Sequence, residues 1–270
     1  MDWYGVALAA TAVGFCAGVL SALAGVGGAV LTTPGLRALG APPLIAVGST
    51  IPAIIPSAVT GAIRYSRAGL VDWRVAGWCG GAGMVSALAG AWTAGRVEPT
   101  WLMVLTALLV LWSSISVLRP RKPAAGEPSR LRSAGAAVAA DLPETSIPSL
   151  VTLVAVGIGA GFIAGLLGVG GGIVLVPAFT ALLRMGVKES VATSLVAVAL
   201  MSITSLLGHL LAGHVDWAYA LPLMVGAVPG ARVGSRLTLR LPESTMRLVC
   251  GGLLATIGSV YLVSELIVAL

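Results

Sequence analysis

Gly25-Val26-Gly27-Gly28, closed by Pro34, and Gly168-Val169-Gly170-Gly171, closed by Pro177, decide the fold of this chain. Each cluster interrupts an apolar stretch and leads into a short apolar piece, 27–36 or 173–183. A helix needs about 20 apolar residues to cross a bilayer core of about 30 Å, so neither piece crosses unaided. Glycine opens backbone turns closed to other residues, and its missing side chain leaves amides accessible. Backbone that breaks at membrane depth must be buried in protein or line a watery cavity.

The surrounding composition requires a membrane. Of 270 residues, 57% are hydrophobic and only 10% charged, and the mean hydropathy is +1.01. A soluble domain carries roughly 25% charged residues, so the surface of this chain faces lipid. Apolar stretches long enough to cross run over 3–24, 45–63, 75–95 and 99–118, then 148–167, 190–208, 217–236 and 245–264. Met1-Asp2-Trp3 places an acid where a cleavable signal needs positive charge, so the first segment reads as a membrane element. Cys16, Cys79 and Cys250 show no metal or redox spacing and read as small buried hydrophobes.

Between the two sets of spans, residues 119–147 hold Arg119, Arg121, Lys122, Arg130 and Arg132 among prolines and alanines, the composition of an aqueous linker. The expected organisation is a first transmembrane repeat over 1–118, a basic linker over 119–147 and a second repeat over 148–270. Gly14-Phe15-Cys16-Ala17-Gly18 matches Gly161-Phe162-Ile163-Ala164-Gly165, and Gly48-Ser49-Thr50 matches Ala192-Thr193-Ser194. Ala68-Gly69-Leu70-Val71-Asp72-Trp73 matches Ala212-Gly213-His214-Val215-Asp216-Trp217. With the glycine clusters these are four matches in one order, the signature of duplication.

Charge decides how the repeats face. In an inverted arrangement, with the linker inside, fourteen of the sixteen Lys and Arg are cytoplasmic and only Arg37 and Arg96 are outside. A parallel arrangement puts eight on each side. Positive charge is retained on the cytoplasmic face, so the expectation is an all-α polytopic protein of two inverted repeats. Each repeat has a glycine-broken hairpin or re-entrant pair followed by three full spans. The linker is then cytoplasmic and both termini extracytoplasmic, in a cell membrane. Trp3, Tyr4, Trp73, Trp101, Trp217 and Tyr261 lie near span ends, as an interfacial belt requires.

Each glycine break starts a short helix whose first N–H groups lack internal partners. Those groups and the helix dipole favour an anion. Two breaks entering from opposite faces meet near the midplane, where inverted-repeat transporters often hold cargo. Gly25, Gly27, Gly28, Gly168, Gly170, Gly171 and Gly172 are therefore the first binding candidates, with Pro34 and Pro177 as helix breaks. Gly157, Gly161 and Gly165, and likewise Gly226, Gly230 and Gly234, read as packing glycines. No Gly-Lys-Ser/Thr follows either cluster, which sets aside a nucleotide loop.

The paired glycine–proline segments, the similar halves and the basic linker resemble the TauE/SafE family of sulfite exporters, also called the toluene-sulfonate uptake permease family. The resemblance covers nearly the whole chain. Gly168-Val169-Gly170-Gly171-Gly172 with Pro177 fits the pattern, and the first cluster departs from it at Ala29. Membership implies transport of sulfite, sulfonates or related sulfur-containing anions, with cargo and direction open.

The remaining polar groups refine this expectation. None of the ten acids falls mid-span, which favours anionic cargo over a carboxylate-borne cation. Ser49, Thr50, Thr193 and Ser194 recur early in the third segment of each half; their hydroxyls either donate to a sulfur oxyanion or bond their own helix. Arg232 lies a turn inside the cytoplasmic end, attracting an anion or snorkelling to headgroups. His209 and His214, near an outer loop, either pass protons or make interfacial hydrogen bonds.

The expected function is secondary transport of a small anion, not enzymatic, with no cofactor, no metal and no nucleic-acid partner. A coupling proton or sodium ion and a homo-oligomer both remain open. The alternatives are an anion channel and an intramembrane enzyme using Ser205 with His209, four residues apart.

Overall fold

The computed structural model describes residues 3–118 and 149–269, all helix and connecting turns; the linker expected over 119–147 lies outside them. Five helices form the first half: α1 (Trp3–Ala24), α2 (Ala29–Ala38), α3 (Pro43–Arg67), α4 (Trp73–Ala94) and α5 (Pro99–Leu118). The same order of long, short, long, long and long follows in α6 (Leu150–Leu167), α7 (Gly172–Leu182), α8 (Val187–Leu211), α9 (Trp217–Arg240) and α10 (Glu243–Ala269). Six of the long helices, α1, α3, α5, α6, α8 and α10, are long and apolar enough to cross a membrane. The sequence holds eight apolar stretches of crossing length. The other two, α4 and α9, have the length, but α4 is diluted by five glycines, three tryptophans and Arg74, and α9 by three arginines.

The halves interlock. α1 packs along α9 while α6 packs along α4, and α3 meets α9 as α8 meets α4. α3 crosses α8, and α5 pairs with α10. Every principal contact therefore has its counterpart with the halves exchanged.

Glycine makes the two longest seams possible. A methyl on Gly14 or Gly18 of α1 would fall on the carbonyls of Leu223 or Ala227 of α9. On α6, Gly157, Gly161 and Gly165 meet the carbonyls of Cys79, Gly83 and Ala87 in the same way. Backbone touches backbone, the small-residue packing by which helices associate in lipid.

This geometry corrects the sequence register of the first helices. Gly14 faces Leu223 as Gly157 faces Cys79, so Gly14 is equivalent to Gly157 and not to Gly161. The match of Gly14–Gly18 with Gly161–Gly165 slips by one turn, because small residues recur every four positions along both helices.

The outer surface is apolar, with Val85 and Leu211 each 79% exposed and Val151 76%. Trp3, Tyr4, Trp73, Trp101 and Trp217 are exposed at helix ends. Tyr261 is not part of that belt: it is buried, its hydroxyl against the sulfur of Met103. Cys16 is exposed on α1, while Cys79 and Cys250 are buried as expected.

Candidate functional site

The two glycine breaks meet. Residues 25–28 and 168–171 are the turns that end α1 and α6, and all are buried. Gly25, Gly27 and Gly28 have φ of 70°, 90° and 80°, and Gly168, Gly170 and Gly171 have 64°, 78° and 74°. These left-handed conformations favour glycine. A Cβ on Gly27 would stand 2.9 Å from the carbonyl oxygen of Val169 and 3.7 Å from the Cα of Gly170. One on Gly172, the first residue of α7, would fall on the carbonyl of Gly25. Val198 of α8 wedges between the turns, its methyl 3.4 Å and 3.1 Å from the Cβ positions of Gly27 and Gly170.

At each turn the first donors are left over. Gly25 N–H bonds to Ser21 O, and the next bonds come from Leu31 and Thr32 to Gly28 O. Between them, the N–H groups of Val26, Gly27, Gly28, Ala29 and Val30 have no partner in the described structure. At the second turn the same holds for Val169, Gly170, Gly171, Gly172 and Ile173. Buried N–H groups are nearly always paired, so the five at each turn make the two turns candidate sites for an acceptor.

The prolines do not make these breaks. Pro34 and Pro177 lie inside α2 and α7, each at the sixth residue. A proline there cannot donate to the carbonyl four residues back, so Val30 O and Ile173 O lose their helical donor. The break itself is made by left-handed glycines.

The four hydroxyls flanking the turns fasten one half to the other. Ser194 Oγ lies 3.1 Å from Gly25 O and 2.9 Å from Val191 O, and the two carbonyls share its one hydrogen. Thr50 Oγ1 donates to Val47 O at 2.8 Å, with Gly168 O at 3.5 Å. Ser49 Oγ accepts from Asp216 N at 2.8 Å, and Thr193 Oγ1 accepts from Asp72 N at 3.1 Å. Asp72 and Asp216 in turn cap α4 and α9 through their carboxylates. Arg232 is exposed on α9 and does not line the cavity at the turns, because it projects from the face opposite the one packed on α1.

That cavity is small and one-sided. It has about 10 Å³ of free volume and lies beside the first turn, against Gly27, Gly28, Thr32, Thr50, Ser57 and Ala227. This is room for about one water. Beside the second turn the equivalent space is filled. Met201 takes the place of Ser57, its sulfur 3.2 Å from the Cβ position of Gly171 and its methyl against Gly83, the counterpart of Ala227. Ser21, Thr32 and Thr33 around the first turn become Ala164, Leu175 and Val176 around the second. Ser21 Oγ and Thr33 Oγ1 are buried without a partner, and the Cβ of Ser21 is 3.4 Å from the Cβ position of Gly28. These residues escaped the sequence reading, which looked for matches between the halves; the differences carried the signal.

The Ser205–His209 pair is not assembled. Ser205 Oγ has no partner, while His209 uses Nε2 on Gly165 O at 2.9 Å and Nδ1 on His214 Nδ1 at 3.3 Å. Burial lowers the pKa of His214 in the α8–α9 turn. Among the described residues no cluster of three metal-ligating side chains occurs.

Comparison with known proteins places the chain. It is similar to the probable membrane transporter protein YunE of Bacillus subtilis, 26% identical over 264 residues that cover 91% of this chain and 93% of that protein. A probable membrane transporter protein of Xylella fastidiosa is 29% identical over 234 residues, 86% of this chain and 83% of that one. One from Methanocaldococcus jannaschii is 23% identical over 262 residues, 91% of each. No solved structure matches. The family model described as sulfite exporter TauE/SafE matches residues 10–261, and the chain belongs to that family of multi-pass membrane transporters.

Proposed function

We propose that this protein is a secondary transporter that carries a small anion, sulfite, a sulfonate or a related sulfur oxyanion, by alternating access. The observation that carries the reading is the meeting of two buried turns, each with five N–H groups left without a hydrogen-bond partner. A sulfur oxyanion offers acceptors on several sides and full negative charge, matching donors held by Gly27, Gly28, Gly170 and Gly171 and the dipoles of α2 and α7. The polar first turn, with Ser21, Thr32, Thr33 and Ser57, is the better-suited half of the site. Ser49, Thr50, Thr193 and Ser194 serve it chiefly by holding the turns in register, and Arg232 serves at the headgroups.

The repeats are inverted, with the linker cytoplasmic and the termini outside; retention of fourteen bases on one face supports this. The interlocked seams let one bundle rock against the other while the turns stay in contact. A cavity of about 10 Å³ is too small for a sulfur oxyanion, so cargo enters when α3 and α8 part around Ile54 and Val198.

Proteoliposomes are expected to take up labelled sulfite or a labelled sulfonate faster than empty vesicles, with saturation. Uptake that stays linear in concentration points instead to a channel. Uptake equal to that of empty vesicles for every sulfur oxyanion tried overturns the reading.

A further inference from the structure

We propose that His214 and His209 form a one-proton site that loads a proton from the water at the end of α8 to a point beside the second glycine turn, making transport proton-coupled. The coupling rests on the transport reading above; the proton site itself does not.

Hydrogen-bond direction fixes the chemistry. Gly165 O can only accept, so His209 Nε2 carries a hydrogen. In the neutral ring Nδ1 is then a lone pair, and His214 Nδ1, 3.3 Å away, must donate to it. That leaves His214 Nε2 as the free basic atom. It sits in the half-buried α8–α9 turn, 3.9 Å from the Cβ position of Gly95, at a groove of about 630 Å³ between α4 and α8.

A proton from water adds to His214 Nε2, and the hydrogen on His214 Nδ1 crosses to His209 Nδ1. His214 is again neutral. His209 is an imidazolium donating to Gly165 O and to His214. One proton has entered, His214 has changed from its Nδ1–H to its Nε2–H tautomer, and no other bond has changed. A second is opposed by like charge across rings 5.4 Å apart.

A purely structural role does not require imidazoles here. In the first half Tyr65 stands at the position of His209 and donates to Ala22 O at 2.6 Å, the equivalent of Gly165 O. Leu70 stands at the position of His214. A phenol beside an aliphatic side chain does the fastening without titrating in the physiological range. Both positions are imidazole in the second half, and the two rings touch.

The surroundings set the charge balance. Of the elements packed on α8, α6 and α7 carry no titratable side chain. α3 brings Arg64, Tyr65 and Arg67 to the opposite end of α8, where Asp72 meets Thr193. α4 carries Arg74 at that same far end and the buried thiol of Cys79; past its last residue Arg96 is stacked on Trp92 of the same groove, with Glu98 beyond it, and Asp216 caps α9. α1 contributes only Tyr4 and Cys16, both exposed. Inside, the imidazolium meets the last carbonyls of α6, where the helix dipole favours a cation. Gly165 is three residues before Gly168, so the charge lies next to the second turn. Proton and anion then strengthen each other's binding reciprocally.

The chain has only two histidines, so histidine-selective isotope labelling gives two imidazole signals by NMR. The expected result is a coupled titration: His214→Leu changes the titration of His209, and His209→Gln changes that of His214. Independent titrations, unaltered by the other substitution, overturn the site. The second experiment uses labelled methanesulfonate, whose charge does not vary with pH, in proteoliposomes with the membrane potential clamped. An inward gradient of about one pH unit is worth about tenfold accumulation when one proton accompanies one anion. His209→Gln, which keeps a donor for Gly165 O, is expected to retain gradient-free exchange and lose the accumulation. Equal accumulation in His209→Gln, or none in a wild-type protein that exchanges, overturns the coupling. No exchange in wild type removes the transport reading for this cargo, and the titration alone then decides the proton site.

Discussion

Ser194, on the eighth helix, donates its hydroxyl to the carbonyl of Gly25, 169 residues away, at 3.1 Å. The bond joins the third element of one half to the broken hairpin of the other. Its counterpart, Thr50 to Gly168, is longer at 3.5 Å. Ser194→Ala is therefore expected to lower stability by about 1 kcal/mol, the usual worth of a buried neutral hydrogen bond. Thr50→Val should cost less. Thermal unfolding of the purified protein in detergent measures both, and a larger loss for Thr50→Val would contradict the ranking.

Gly172 is fixed by space alone. Its φ is not positive, but a methyl there would fall on the carbonyl of Gly25 and separate the two turns. Gly252, exposed on α10, has nothing within 4 Å. Gly172→Ala is expected to cost about 1–3 kcal/mol, as overpacking does, and to abolish anion uptake. Gly252→Ala should leave uptake unchanged. Wild-type uptake in Gly172→Ala would show that contact between the turns is dispensable.

Ala68 and Ala212 occupy equivalent exposed turns, one after α3 and one after α8. Inverted repeats put them on opposite sides of the membrane. In a chain whose three cysteines are replaced, Ala68→Cys is expected to react with a membrane-impermeant maleimide only from the cytoplasmic side, and Ala212→Cys only from outside. Labelling of both from one side rejects the inverted topology.

The glycine turns were legible because nothing else explains Gly-Val-Gly-Gly twice in an apolar chain, and the third-helix hydroxyls because they recur. Their work was not legible. A hydroxyl that donates across halves and one that awaits an anion look alike in sequence; only the distances to Gly25 O and Asp216 N separate them. Proline interrupts helices, so Pro34 and Pro177 look like the breaks in sequence, yet the left-handed glycines ahead of them make the turns. Four-residue spacing hid the register of α1 on α6 for the same reason that it lets both helices pack.

The asymmetry of the turns gives the sharpest test of where cargo binds. Ser57 with Ala227 leaves a cavity at the first turn, and Met201 with Gly83 fills the space at the second. Ser57→Met alone crowds Ala227, so a loss of function would be ambiguous between misfolding and blockage. Adding Ala227→Gly reproduces the second-half arrangement, in which the methionine methyl rests on a glycine, and relieves the crowding. Ser57→Met/Ala227→Gly is expected to unfold within a few degrees of wild type and to take up no sulfite or sulfonate. Met201→Ser is expected to lose about 2–5 kcal/mol by opening a core cavity and, where it stays folded, to keep uptake. If the double variant transports normally and Met201→Ser does not, the anion sits at the second turn and the polar first turn serves the fold.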